Sequence, residues 1–318
     1  MINATRGYGT MSKDFLSILD LEADDLARLL DLAAQLKADR RLGRQAPTAD
    51  ALSGAHVALL FEKPSLRTRS TFEIGVRELG GEILNVSADL AEGTREPLED
   101  IARNLERWVD ALVVRTFAQE KAATLAAAAP RLHVINALTD EQHPCQALAD
   151  MLTLREHWGI CHGRTLAYDG DGNNVAASLA QAAAMTGITV HLASPCGYTL
   201  PDRVVVQARE VARDGAEVRC FTDPYDAVAG ADAIYTDVWT SMGRESEAAQ
   251  RRLVFSQYQV SSRLMAAAHA DALFMHCLPA HRGEEVTTEV LESSASVVFD
   301  QAENRLHAQK ALLLMLLA

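Results

Sequence analysis

Two arginines alternate with hydroxyl residues in Pro64-Ser65-Leu66-Arg67-Thr68-Arg69, between the apolar stretch Val57 to Phe61 and a set of apolar residues at helical spacing, Phe72, Val76 and Leu79. The pattern predicts a strand, a tight polar loop and a helix closed by Gly80-Gly81. The first N–H groups of such a helix have no intrahelical partners, and its dipole is positive at that end. Those N–H groups, the hydroxyls of Ser65 and Thr68, and the cations of Arg67 and Arg69 would converge on one small volume suited to phosphate or another dianion. Helix capping accounts for a lone Ser-x-x-Thr, but not for its combination with two arginines. The other common phosphate cradle, Gly-x-x-x-x-Gly-Lys-Ser/Thr, does not occur in the chain.

Further groups with chemistry to offer stand where other apolar runs end. Arg115 follows Ala111 to Val114, and at the carboxyl end of a parallel strand it is placed to join the same anion. His143 and Gln146 flank a proline at the start of a helix, a pair suited to a carbonyl oxygen and an amide. Gly170-Asp171-Gly172-Asn173-Asn174 lies where a dinucleotide fingerprint would lie, but Val175 occupies the place of its third glycine. One asparagine of the pair is expected to cap the next helix, and the amides also suit a polar ligand. Asp237, Ser241 and Met242 bring a carboxylate, a hydroxyl and a thioether together, which fits an amine-bearing zwitterion with an alkyl chain. Cys277 and Leu278 follow His276; no acyl-transfer architecture accompanies the cysteine, which weighs against a thiolate nucleophile. Glu303 and Arg305 open the last helix, and Arg305 is placed to close the anion site from another direction.

The elements that must position these groups alternate. Leu16 to Leu36 reads as a packing helix, and strands are expected at 56–61, 83–86, 111–114 and 133–137 with helices between them. The polar stretch Ser87 to Pro97 is a candidate lid. Strands at 165–168, 189–193, 217–220, 233–237, 272–275 and 296–299 alternate with helices in the second half. This is an α/β protein of two doubly wound domains, each with a mostly parallel sheet flanked by helices. The boundaries expected are residues 1–150 and 151–302, with a C-terminal helix, 303–318, returning to the first domain.

At 318 residues the chain suffices for two cores, and 48% hydrophobic with 23% charged residues is an ordinary globular composition. A net charge of −13 argues against nucleic acid or an anionic membrane as partner. Five cysteines, with no Cys-x-x-Cys, suggest neither a disulfide framework nor a zinc site; no metal and no cofactor is expected. Met1 to Thr10 lacks a signal-peptide core and no apolar run reaches membrane-span length, so a cytoplasmic location is expected. Met11 offers an alternative start.

Taken in order, Ser65 to Arg69, Arg115-Thr116-Phe117, His143-Pro-Cys-Gln146, Asp237-Val-Trp-Thr-Ser241-Met242-Gly243, His276-Cys277-Leu278-Pro279 and Glu303-Asn304-Arg305 resemble the ornithine carbamoyltransferases from about residue 13 to the C-terminus. Leu66 departs from the family's Ser-Thr-Arg-Thr-Arg by one hydroxyl, and the stretch 89–97 lacks the glutamine that some members extend to a neighbouring subunit. The resemblance implies carbamoyl transfer from carbamoyl phosphate to the side-chain amine of L-ornithine, giving L-citrulline and phosphate, within arginine metabolism. It implies that Ser65, Leu66, Arg67, Thr68, Arg115, His143, Gln146, Cys277, Leu278 and Arg305 bind carbamoyl phosphate. Asn174, Asp237, Ser241 and Met242 match the ornithine binders, and Arg115, His143, Asp237 and Cys277 are the catalytic set. It also implies a homotrimer or a multiple of trimers. A carbamoyltransferase for an N-acylated ornithine or putrescine, and a non-catalytic nucleotide-binding regulatory protein, are the alternatives.

Overall fold

The computed structural model describes residues 11–92, 96–241 and 245–318. The chain divides into two units, one running to Leu152 and resuming at Asn304–Ala318, the other spanning Thr153–Glu303.

The first unit contains α1 (Ala23–Asp39), β1 (His56–Phe61), α2 (Leu66–Glu78), β2 (Glu82–Val86), α3 (Leu98–Leu105), β3 (Ala111–Arg115), α4 (Gln119–Ala128), β4 (His133–Leu138) and most of α5 (Pro144–Trp158). Its sheet is parallel, in the order β2-β1-β3-β4. A parallel sheet is covered on both faces, so its inner strands read as unbroken apolar runs, and β1 is buried from Val57 to Phe61. On one face Ala58, Leu60, Leu112 and Val114 meet Ile101 and Leu105 of α3 and Leu125 of α4. Helix α2 ends in a Schellman turn, with the Gly81 N–H on the Val76 carbonyl (2.9 Å) and the Gly80 N–H on that of Arg77 (3.2 Å). Gly80 has φ +84°, and a Cβ there would stand 2.8 Å from the Ala49 carbonyl, so only glycine closes this helix.

The second unit contains β5 (Thr165–Asp169), α6 (Asn174–Met185), β6 (Thr189–Ala193), α7 (Asp202–Glu210), β7 (Val218–Phe221), α8 (Pro224–Val228), β8 (Ala233–Thr236), α9 (Ala248–Phe255), α10 (Ser262–Met265), β9 (Leu273–His276) and α11 (Thr288–Leu291). Its five strands are parallel, in the order β7-β6-β5-β8-β9. Ala167, Ile234 and Phe274 pack with Val228 of α8, Leu264 of α10 and Val290 of α11. Helix α12 (Val298–Leu317) begins in this unit and continues into the first, where its leucines are buried.

Two expectations shift. The strand at 296–299 is a single bridge, Phe274 with Ser296, after which α12 starts at Val298. Its apolar pair Val297-Val298 signals burial equally well in strand or helix, and the helix continues through the leucine run that follows. The first helix starts at Ala23, because Ser17 and Asp20 close a separate 3-10 turn through a capping box.

Candidate active site

In each sheet the strand order reverses beside its first strand, β1 in one and β5 in the other. Ligands in open α/β sheets gather at the carboxyl ends of the strands flanking such a reversal. In the first unit those ends lead into Ser65–Arg69 after β1 and Arg115 at the close of β3, with Phe61 and Arg115 in register. Ser65 is the N-cap of α2 with extended backbone, but its hydroxyl makes no cap bond; it accepts instead from Arg115 Nη1 at 3.4 Å. The loop therefore keeps the first N–H groups of α2 and a hydroxyl together beside a buried guanidinium.

Thr68, Arg115, His143, Gln146 and Arg305 are all buried, Arg305 to 1% exposure. Arg305 reaches Thr68 and Gln146 from a helix more than 150 residues away along the chain, donating from Nη2 to Thr68 Oγ1 (2.8 Å) and from Nη1 to Gln146 Oε1. Gln146 in turn donates to Asp150 Oδ1 (2.8 Å), so both ends of its amide are hydrogen-bonded within the protein. Burial, followed by the charges of Arg305, Arg115 and Arg67, holds the His143 imidazole well below its ordinary pKa. His143 is a neutral ring that can donate one N–H among three cations, a group of side chains with the charge to accommodate a negatively charged ligand. Leu66 is exposed, and Cys145, between His143 and Gln146 in the chain, is fully buried, with its thiol pushed up to about 12 by desolvation and spent on the Asn136 carbonyl.

Arg69 stands apart from this cluster. Its Nε donates to Glu73 (3.1 Å) and its Nη2 to Asn85 on β2 (2.8 Å), so it braces α2 against the edge strand.

The second unit builds a different site at the ends of β5, β8 and β9. Asn173 caps α6, accepting from the N–H groups of Val175 and Ala176, and its amide donates to Asp237 Oδ2 at 2.8 Å. Asn174 is the first residue of the helix and is half-buried. The thiol of Cys277 donates to the other oxygen of Asp237 (3.0 Å). One buried carboxylate is thus oriented from both sides, leaving its remaining lone pairs to a cationic or amine ligand. Leu278 and Ser241 are half-buried, and Met242 lies outside the described residues.

Four residues of this region receive no role of their own from the sequence. His276 is fully buried; its Nδ1 accepts from the Leu278 N–H (2.8 Å), so Nε2 carries the proton and donates to Glu285 Oε1 (3.1 Å). Glu285, also fully buried, accepts as well from the His281 N–H (2.6 Å). The pair rigidifies the turn that presents Cys277. Arg251 is 2% exposed and donates to Asp171 (2.9 Å), Glu247 (2.9 Å) and the Trp239 carbonyl (2.8 Å), tying the loop after β5 to the loop after β8. Asp171 is its buried counter-charge. Gly172 has a local explanation: a Cβ there would lie 2.3 Å from the Leu200 backbone nitrogen, so the glycine makes room for the protein's own chain at 198–200 and not for a pyrophosphate.

Comparison with known proteins identifies the family. Residues 13–156 match the model of the aspartate/ornithine carbamoyltransferase carbamoyl-P binding domain, and residues 162–316 that of the Asp/Orn binding domain. The chain is 52% identical over 308 residues to the ornithine carbamoyltransferase of Parafrankia sp. (strain EAN1pec), covering 96% of each chain. It is 51% identical over 310 residues to that of Acidothermus cellulolyticus, covering 96% of this chain and 97% of the relative. Among solved structures, ornithine carbamoyltransferase from Pyrococcus furiosus superposes with a TM-score of 0.90 at 45% identity, covering 94% of this chain and 95% of that one. The enzyme from Gloeobacter violaceus gives 0.86 at 45% identity, covering 96% and 99%. The chain belongs to the aspartate/ornithine carbamoyltransferase family.

Proposed function

We propose that the protein transfers the carbamoyl group of carbamoyl phosphate to the side-chain amine of L-ornithine, releasing L-citrulline and phosphate. The observation that carries this reading is the neutral His143 held among Arg67, Arg115 and Arg305 at the N-terminus of α2. The phosphate takes the N–H groups of α2, Ser65, Thr68 and the arginines, and the carbamoyl oxygen takes His143 and Arg115. Thr68 accepts from Arg305 and so keeps its own proton to donate to the ligand. Asp237, fixed by Asn173 and Cys277, receives the amine of the second substrate, with Asn174, Ser241 and Met242 assigned to its amino-acid end.

Turnover requires the free amine to reach the carbonyl carbon. A C–N bond forms, negative charge develops on the carbonyl oxygen, and the C–O bond to phosphate then breaks. The amine proton leaves with the departing phosphate. Donors already in place for the oxyanion need no reorganisation, and each typically lowers the barrier by ~3 kcal/mol. A neutral His143 serves here as a hydrogen-bond donor rather than as a proton reservoir.

A homotrimer or a multiple of trimers is part of the same proposal, supported by exposed apolar Leu66 and Ile74 on α2 and Leu84 on the edge strand β2. Sedimentation velocity tests it. A cytoplasmic place in arginine metabolism completes the reading, consistent with five free cysteines. The deciding experiment is steady-state citrulline formation from carbamoyl phosphate with ornithine, N-acetylornithine and putrescine in turn. Ornithine should be the productive amine, and equal or better use of another would overturn the assignment.

A further inference from the structure

We infer that Glu62 is a positioning residue for carbamoyl-phosphate binding, acting as a clamp that holds the Ser65 loop and Arg115 in one arrangement. The inference rests on the proposed assignment of that loop and Arg115 to the phosphate. Strands β1 and β3 are hydrogen-bonded neighbours up to Phe61 and Arg115, and the ladder gains one more rung as the Glu62 N–H donates to the Arg115 carbonyl at 2.9 Å. Both strands end there, β1 at Phe61 and β3 at Arg115.

The Glu62 side chain takes over at that point. It is 5% exposed, and its carboxylate accepts from Thr116 Oγ1, from the Phe117 N–H (3.0 Å) and from Lys121 Nζ (2.5 Å) in the first turn of α4. One carboxylate therefore fixes the two residues that follow Arg115 and the helix beyond them. The next loop residue adds a second tie, with Lys63 Nζ 3.7 Å from the centre of the Phe117 ring. Two residues further on, Ser65 Oγ meets Arg115 Nη1. The strength of the clamp comes from charge-assisted bonds to a carboxylate that is itself largely shielded from water. None of its partners is the ligand's own contact set, so Glu62 works through Arg115 and Ser65 and not on the substrate.

The test compares Glu62→Ala, Glu62→Gln, Lys121→Met and the double variant Glu62→Gln/Lys121→Met in the full chain. Displacement of a binding group by ~1 Å costs about 100-fold, so Glu62→Ala should raise the KM for carbamoyl phosphate about 10- to 100-fold and leave the KM for ornithine little changed. The inhibition constant of inorganic phosphate should rise in parallel. The double variant keeps acceptors for Thr116 and Phe117 and removes both charges together, and it should recover carbamoyl-phosphate KM most of the way to wild type. Lys121→Met alone leaves the carboxylate buried without its cation and should lie between. A lowered melting temperature with unchanged carbamoyl-phosphate KM in Glu62→Ala overturns the inference, as does an equal rise in both KM values. Should Glu62→Ala not fold, Glu62→Gln decides: an unchanged KM for carbamoyl phosphate and an unchanged phosphate inhibition constant overturn it. Absence of citrulline formation by the wild-type protein would instead undo the assignment of the loop itself.

Discussion

Asp237 is held by two donors of different kinds, an amide from the loop after β5 and a thiol from the end of β9. Replacing Cys277 by alanine removes one hydrogen bond to a charged acceptor, worth about 1.5–3 kcal/mol, and should lower kcat/KM for ornithine by about 10- to 100-fold. Activity should persist, and mass spectrometry of the wild type during turnover should reveal no carbamoyl adduct on Cys277. Complete loss in the variant, together with a trapped adduct, would contradict this role. Arg67 sits where its charge is felt by His143, and Arg67→Ala should raise the KM for carbamoyl phosphate with that for ornithine nearly unchanged. A change confined to ornithine kinetics would show that the loop had been assigned to the wrong substrate.

At the scale of elements, Arg251 joins α9 to both loops of the proposed amino-acid site. Removing one partner of a buried ion pair strands the other, at about 3–5 kcal/mol. Arg251→Met should therefore lower the melting temperature and raise the ornithine KM, while a melting shift with intact ornithine kinetics would reduce Arg251 to a purely structural tie. Strand β5 carries a buried carboxyl group without such a counter-charge among the described residues. Asp169 alternates with Ala167, is fully buried with neither carboxylate oxygen hydrogen-bonded, and desolvation raises its pKa well above the ordinary value of 3.8. A raised folded-state pKa means that its contribution is favourable below the unfolded value and is lost as pH climbs toward the folded one. Asp169→Val, close in shape and free of the polar group, should stabilise the protein at pH 7 by about 1–3 kcal/mol, read from urea denaturation. A loss of stability at that pH would refute the account.

For the molecule as a whole, acid sensitivity should come from buried histidines. His307 on α12 is lowered from 6.5 to about 4 by desolvation and by Lys37, Lys310 and Arg40, and His143 is depressed as well. Between those values the unfolded chain binds protons that the folded chain does not, so unfolding free energy rises with pH across the window from about 4 to 6.5. His307→Gln should flatten that limb of the stability profile; an unaltered slope would mean that His307 titrates normally when folded.

The alternation of strands and helices, the two parallel sheets and the arginine loop were all legible in the residue order, because hydrophobic periodicity and helix-end chemistry are local properties. Local pattern also gave the identities of Arg115, His143 and Asp237, since each closes or follows an apolar run. What residue order left open was the partner of each polar group. Arg69 turned to Glu73 and Asn85, Asn173 rather than Asn174 took the helix cap, and Glu62, Glu285 and Arg251 became visible only through their contacts. Arg305 meets Thr68 across 237 residues of chain. A charged side chain costs several kcal/mol to bury without a counterpart, so its position is settled by a pairing that forms only once distant segments are packed together. Sequence determined which groups were present at the strand ends; the tertiary structure decided which of them were spent on one another and which were left for a ligand.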